Sequence, residues 1–203
     1  MSDCSDQIVD SVAAAIERRE PVYIQGGNSK RDWLGRECHA RPLDVSGHRG
    51  IVDYQPAELV LTARAGTPLE ELRDVLATEG QMLPFEPPVL SGSATLGGTL
   101  ACNLSGPGRP WYGSIRDAVL GVQLVNGKAE LLNFGGQVMK NVAGYDVSRL
   151  QAGAMGTLGV ICQVSQKVLP QSERIVTLAY ELNAARALEV MNSRAGEARP
   201  LTG

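Results

Sequence analysis

The chain has 203 residues, enough for one substantial domain or for one domain and part of another. Its 19 Lys and Arg against 22 Asp and Glu leave a net charge of −3 and no basic stripe, which argues against a nucleic-acid binder. Apolar runs fall well short of the roughly 20 residues that cross a bilayer, and the first twenty residues lack the basic-then-apolar order of a signal peptide, so a cytoplasmic protein is expected.

Ile8, Val9, Val12, Ala13 and Ile16 recur at helical spacing opposite Asp6, Asp10, Glu17 and Arg18. This predicts an amphipathic helix over 6–19, ended by Pro21. Val22 to Ile24 reads as a strand running into Gly26-Gly27-Asn28-Ser29, and 43–45, 50–53 and 58–62 read as further strands of one small mixed sheet. Thr67-Pro68-Leu69-Glu70 predicts a helix start, with Thr67 as the cap and Glu70 closing a capping box. Leu69, Leu72, Val75 and Leu76 share its apolar face and Gly80 ends it. The proline-bearing stretch 81–92 reads as an extended connector.

Residues 96–103 predict a short helix, followed by a proline- and glycine-rich loop over 105–113. Asn126-Gly127, a dipeptide favoured in tight turns, predicts a hairpin between 118–125 and 129–134. Asp146 is placed to cap a helix through Leu150, and 159–169 reads as a last long strand before Pro170. At the C-terminal end, 175–180 reads as a strand and 184–194 as a helix, the start of a βα unit that the final residues do not complete.

Cys4, Cys38, Cys102 and Cys162 are widely spaced without a C-x-x-C pair, so no zinc or iron–sulfur site is indicated. His39 and His48 read as surface loop residues, and no metal is expected. Three glycine-dense segments carry more information: 26–29, 91–106 and 153–160. Glycine admits positive φ and lets ligand atoms reach main-chain N–H groups. Three such segments suit a long, doubly charged dinucleotide better than a single phosphate. The G-x-G-x-x-G fingerprint is absent: Gly153, Gly156 and Gly159 form G-x-x-G-x-x-G, ahead of the last strand rather than after the first, which disfavours a nicotinamide-type Rossmann domain. GGNSK has the wrong order for a P-loop, and no G-x-S-x-G elbow is present.

In chain order, a strand entering GGNS is followed by TARAGTPL (62–69), ATLGGTLACNLSG (94–106), WYGSIRDAVLGVQLVNG (111–127), MKNVAGYDVSRLQAGAMGTLGVI (139–161) and KVLP. Over about residues 20–170 this series resembles the FAD-binding domain of the vanillyl-alcohol oxidase and p-cresol methylhydroxylase superfamily, and within it the FAD-binding subunits of bacterial glycolate oxidases. The resemblance implies an α+β fold of two α+β subdomains, 1–85 and 86–170, with FAD extended between them, and 171–203 as the opening of a truncated cap domain. It implies that Gly26, Gly27, Asn28 and Ser29 offer donors to the pyrophosphate from the first subdomain. Thr95, Gly97 and Gly98 would do so from the second, aided by the N-terminus of the following helix. Asn103, Ser105, Gly106, Tyr112 and Gly113 would line the path to the flavin ring, and Gly156, Thr157, Gly159 and Val160 would lie near the adenosine. Lys140 reads either as a phosphate contact or as a solvated lysine.

Some members of the superfamily bind FAD covalently through a histidine in the first glycine loop. Here that loop carries Asn28, Ser29 and Lys30, which implies non-covalent FAD. Substrate contacts in complete members come largely from the cap, so no catalytic residue is assigned. The implied reaction is oxidation of glycolate, a small 2-hydroxy acid, to glyoxylate. The implied partners are a main glycolate oxidase flavoprotein subunit and an iron–sulfur subunit, which would also provide any association with the inner membrane. Two alternatives stay open: a stand-alone FAD-dependent dehydrogenase of lactate or another 2-hydroxy acid, and a flavin-binding assembly module without turnover. Gly27→Val or Gly97→Val is expected to abolish flavin binding by blocking the pyrophosphate.

Overall fold

The periodic N-terminal stripe folds as α1, Ser5–Arg18, with Ile8, Val12 and Ala15 buried. The structure is a computed structural model that describes residues 2–34, 39–90, 93–136 and 144–198. Arg19 ends the helix in the left-handed conformation, and the chain enters β1, Val22–Gln25, which pairs in parallel with β2, Arg41–Asp44.

The main sheet has five strands. These are β3, Ile51–Gln55; β4, Val60–Arg64; β6, Val119–Val125; β7, Leu131–Gly135; and β8, Val160–Lys167. Their order is β3-β4-β8-β6-β7, with every neighbour antiparallel. The single small sheet expected from the first four strand signals therefore divides: β1 and β2 form their own pair, and β3 and β4 join the large sheet. The cause is legible in β4, whose first four residues are all buried. A strand buried on both faces belongs inside a sheet, and β4 is bonded to β3 on one side and β8 on the other. The boundary drawn at 85/86 consequently runs through one hydrogen-bonded sheet. A further short pair, β5 (Gln81–Met82) with β9 (Leu169–Pro170), ties the connector to the end of β8.

Two helices cover one face of the sheet. In α2, Leu69–Thr78, Leu69, Leu72 and Leu76 are buried, and α3, Leu96–Cys102, buries Leu96 and Leu100. They share the main core with Leu61, Val122, Ile161 and Val164. On the other face α1 packs Ile8 and Val12 against Val125, Val160 and Cys162. The molecule is thus α+β, its sheet lying between the two helix layers.

Several local expectations change. Thr67 does not cap α2: its hydroxyl donates to the Arg64 carbonyl at 2.7 Å and accepts from Gly50 N–H at 2.9 Å. Pro68 is the cap residue, and the Leu69 N–H goes to the Ala94 carbonyl at 2.9 Å. The hairpin after β6 forms, but over 126–130. There Ala129 takes the positive φ of 59°, and Asn126 Oδ1 accepts from the N–H groups of Lys128 and Glu130. The loop 105–113 contains a four-residue helix, α4, Arg109–Tyr112, and leads into α5, Ile115–Ala118, closed by a Ser114–Asp117 capping box. Asp146 caps α6, Val147–Leu150, by accepting from Arg149 N–H at 2.9 Å. Residues 175–180 form no strand: Ile175, Val176, Leu178 and Tyr180 are exposed, and no strand among the described residues pairs with them. Helix α7, Ala184–Ala195, does form, capped by Asn183.

His48 is the other correction. It is 2% exposed rather than on the surface, and its Nδ1 accepts the Cys4 N–H at 2.9 Å, fastening the start of α1 to the core. Burial pushes its pKa below the ordinary 6.5, against the pull of the Asp3 carboxylate 3.8 Å away and with the help of the Arg64 guanidinium. Asp3 is held far below the usual carboxylate range by its bonds to Ser5 and then Arg64, so it stays charged throughout the window in which His48 titrates. A group with a depressed folded pKa that is neutral when deprotonated binds more protons unfolded than folded. The stability from neutral His48 is therefore complete above pH 6.5 and declines as pH falls below it. Thermal unfolding followed from pH 8 to 5 is expected to show this decline, and His48→Gln is expected to flatten it. A wild-type curve that does not change across the window would remove His48 as the cause.

Candidate functional site

The three glycine segments, far apart in sequence, meet at one cavity of about 1040 Å³. That volume is at the top of the range of about 300–1,000 Å³ usual for small-molecule sites. Gly26, Gly27, Asn28 and Ser29 enter it from the end of β1; Thr95, Gly97 and Gly98 from the start of α3; and Gly156, Thr157 and Gly159 from the turn before β8. The remaining wall includes Tyr23, Lys30, Ala65, Cys102, Met155 and Ile161, residues for which the sequence predicts no FAD contact of their own.

Internal hydrogen bonds hold the loops together. Ser93 Oγ donates to the Gly27 carbonyl at 2.6 Å. The carbonyls of Leu100 and Ala101 accept from Gly153 and Met155 N–H at 3.1 and 2.9 Å, so the end of α3 carries the 153–156 turn. In that turn Met155 and Gly156 both have positive φ, 53° and 74°. Asn28 is left-handed as well, φ 56°, and its Oδ1 accepts from the Tyr23 hydroxyl at 2.8 Å, which commits that oxygen inside the protein.

Two glycines have a reason in the protein's own packing. A Cβ on Gly27 would overlap the Ser93 carbonyl, and one on Gly97 would sit 2.6 Å from the Ala65 Cβ. At both positions protein packs against protein, which by itself requires glycine. The start of α3 also offers fewer donors than expected. The N–H groups of Leu96 and Gly97 go to the carbonyls of Thr67 and Ala65 at 2.9 and 2.8 Å, and Gly98 N–H goes to Thr95 Oγ1 at 3.3 Å.

Six of the expected residues do not line this cavity. Asn103 ends α3 in the left-handed conformation, φ 50°, one residue beyond the lining Cys102. Gly106 packs on Glu86, where a Cβ would come within 2.6 Å, and the same glutamate accepts Gly108 N–H at 2.7 Å. Tyr112 is half-buried in α4, and Gly113, φ 80°, abuts Asp117. Val160 faces the α1 side of the sheet, and its neighbour Ile161 lines the cavity instead, as the alternation of a strand requires. Ser105 is the sixth; its Oγ and the Asn103 Oδ1 are buried without a hydrogen-bond partner among the described residues. Lys140, Cys38, Ser91, Gly92 and the stretch 139–143 lie outside the described residues.

The lining fits a negatively charged dinucleotide, because the buried Lys30 ammonium and the hydroxyl-bearing Ser29 and Thr95 are part of it. Asn103 Oδ1 and Ser105 Oγ, buried without a partner among the described residues, belong to residues outside that lining. Burial lowers the Lys30 pKa and raises the Cys102 thiol, with each opposing the other's shift.

The profile of the FAD binding domain family matches residues 3–135. Over 201 residues the chain is 47% identical to the glycolate oxidase subunit GlcE of Escherichia coli K12, covering 99% of this chain and 57% of that protein. It is 31% identical over 203 residues to the glycolate oxidase subunit GlcD of Bacillus subtilis 168, covering 98% and 43%. Against a D-2-hydroxyglutarate dehydrogenase of Xanthomonas citri it is 32% identical over 130 residues, covering 63% and 27%. The chain spans about half the length of these glycolate oxidase relatives. A family match over most of the chain, joined to three glycine loops lining one cavity, establishes that the chain belongs to the FAD binding domain family and that FAD is its cofactor.

Proposed function

We propose that the chain is the FAD-binding part of a glycolate oxidase subunit. The observation that carries this reading is the meeting of three separated glycine segments on one cavity. The 47% identity to a glycolate oxidase subunit across nearly the whole chain supports the substrate, and the D-2-hydroxyglutarate dehydrogenase relative is more distant and matches less of the chain. Glycolate must lose two electrons and two protons to become glyoxylate, and FAD supplies the two-electron acceptor when bound. The protein's own work is to bind and orient. Ser29 and Thr95 offer hydroxyls to the cavity, and the loops at 26–27 and 156–159 give close backbone approach, while the Thr157 hydroxyl is already donated to the Ala154 carbonyl at 2.6 Å.

In this reading the p-cresol methylhydroxylase-type fold is two-lobed. Both the stretch before 85/86 and the stretch after it supply cavity wall, which supports that division of labour although the sheet joins them. FAD is held non-covalently, because Asn28, Ser29 and Lys30 occupy the loop where covalent members carry histidine. The exposed apolar run 175–182 and α7 would open a cap. The base that accepts the hydroxyl proton would lie in the portion of the relatives that has no counterpart here. Electrons would leave through an iron–sulfur subunit, beside the main flavoprotein subunit. No helix among the described residues is long and apolar enough to cross a membrane. In this reading contact with the inner membrane would come through those partners.

The test is an absorbance spectrum of the chain after reconstitution with FAD and desalting, before and after anaerobic glycolate. A retained flavin band is expected. Bleaching by glycolate would show that the fragment itself turns over substrate. A stable band would support a binding part that needs the remainder of its subunit or its partners. Bleaching by D-lactate alone would reassign the substrate, and the absence of a band would overturn the reading.

A further inference from the structure

Lys30 is a buried cation with no anion to match it among the described residues. The residue is 7% exposed and lines the cavity, and among the described residues its Nζ makes one polar contact, a long one of 3.4 Å to Ser29 Oγ. Among the described residues no carboxylate pairs with it. The lining acid Asp32 is exposed, and the other lining cation, Arg31, is exposed and stacks over the Tyr23 ring at 5.6 Å. Cys102 is the remaining titratable neighbour, and burial raises its pKa, so near neutral pH it offers a thiol rather than a thiolate. An ammonium is kept out of water at a cost that only a well-placed opposite charge offsets.

The backbone around it sharpens the need for charge. The three leading N–H groups of α3, at Leu96, Gly97 and Gly98, are already bonded within the protein. Neutral donors from that helix start are therefore not free for an anion, and the side chain that faces the cavity is a lysine.

We propose that Lys30 is the counter-charge for the pyrophosphate of FAD, an inference that rests on the FAD reading of the cavity. The ammonium is held largely out of water at the cavity wall, where the dinucleotide would pair it. Burial already pulls its pKa down, so an arriving anion restores the proton affinity. FAD binding at alkaline pH then takes up protons.

The test compares the full chain with its Lys30→Met and Lys30→Arg variants. FAD, ADP and riboflavin are titrated by calorimetry, and each ligand-free protein is melted. A charge-assisted contact predicts that Lys30→Met weakens FAD and ADP about ten- to a hundredfold, while riboflavin, which has no phosphate, is unaffected. Lys30→Arg should recover most of the loss, and the proton uptake of the wild type at alkaline pH should disappear in Lys30→Met. Removal of an unpaired buried charge should also raise the melting temperature of the ligand-free Lys30→Met chain, which loss of a merely structural lysine would not do. An unchanged Kd for FAD in Lys30→Met would overturn the proposal and leave the FAD reading intact, as would equal weakening of riboflavin together with a lowered melting temperature. A wild-type chain that binds neither FAD nor ADP would overturn the reading of the cavity, and this inference with it.

Discussion

The Gly27→Val chain is expected to lose the fold around its cavity, and FAD binding only as a consequence. A Cβ at residue 27 would overlap the Ser93 carbonyl and approach the Thr95 Cγ2 within 3.3 Å. The obstacle is backbone, which cannot rotate aside as a side chain can. The Ser93 hydroxyl is bonded to the Gly27 carbonyl at 2.6 Å, so separating the two loops also breaks this bond. Overpacking of this kind belongs to the class of substitutions that cost more than about 4 kcal/mol. Gly47→Ala is the control, because an added Cβ there meets nothing within 4 Å and φ is not positive. It should stay within about 0.5 kcal/mol of the wild type. Thermal melting of the ligand-free proteins, run beside fluorescence titration with FAD, separates the two accounts. If Gly27→Val melts like the wild type and loses only FAD, the side chain blocks the ligand and the packing explanation fails.

The same residue shows what was legible before the structure. That Gly26 and Gly27 belong to a ligand cavity follows from glycine after a strand in a chain with two further glycine loops, and the three loops do line one cavity. Why Gly27 must be glycine was not legible, because the reason is Ser93, sixty-six residues away in sequence. Local periodicity found α1 and α2, since a helix writes its buried face into residues three and four apart. It could not find the sheet order, since β4 meets β8 a hundred residues on, and strand partners leave no local mark. The misplaced cap at Thr67 has the same origin: its sequence suits a capping box, yet its hydroxyl is taken by Gly50 and Arg64. The sequence marks Lys30 only as standing in the loop where covalent members carry histidine, and the fold alone reveals its burial. Val160 was assigned to the site through its motif, although strand alternation hands the cavity to Ile161.

Leu100→Ala tests whether the core and the cavity are mechanically one unit. Leu100 is fully buried in α3, packed in the main core, and its truncation should cost about 2–5 kcal/mol in lost transfer energy and residual cavity. For a chain of this size that is roughly 5–20 °C in melting temperature. Leu76 in α2 is equally buried in the same core and provides the comparison, because Leu76→Ala should cost a similar amount. The two differ in what their backbone carries. The Leu100 and Ala101 carbonyls hold Gly153 and Met155, and Gly97, Gly98, Ala101 and Cys102 of the same helix line the cavity. No residue of α2 lines it. Slack introduced beneath α3 therefore displaces two cavity walls together, while slack beneath α2 displaces none. Leu100→Ala is expected to raise the Kd for FAD as well as lower the melting temperature, and Leu76→Ala to lower the melting temperature alone. Ligand at a hundred times Kd adds about 2.7 kcal/mol to the stability of a protein that binds it only when folded. At one fixed FAD concentration Leu76→Ala should thus recover as many degrees as the wild type gains, and Leu100→Ala fewer. Equal recovery in both variants would mean that α3 tolerates the lost methyl groups without passing the change to its cavity-lining turns.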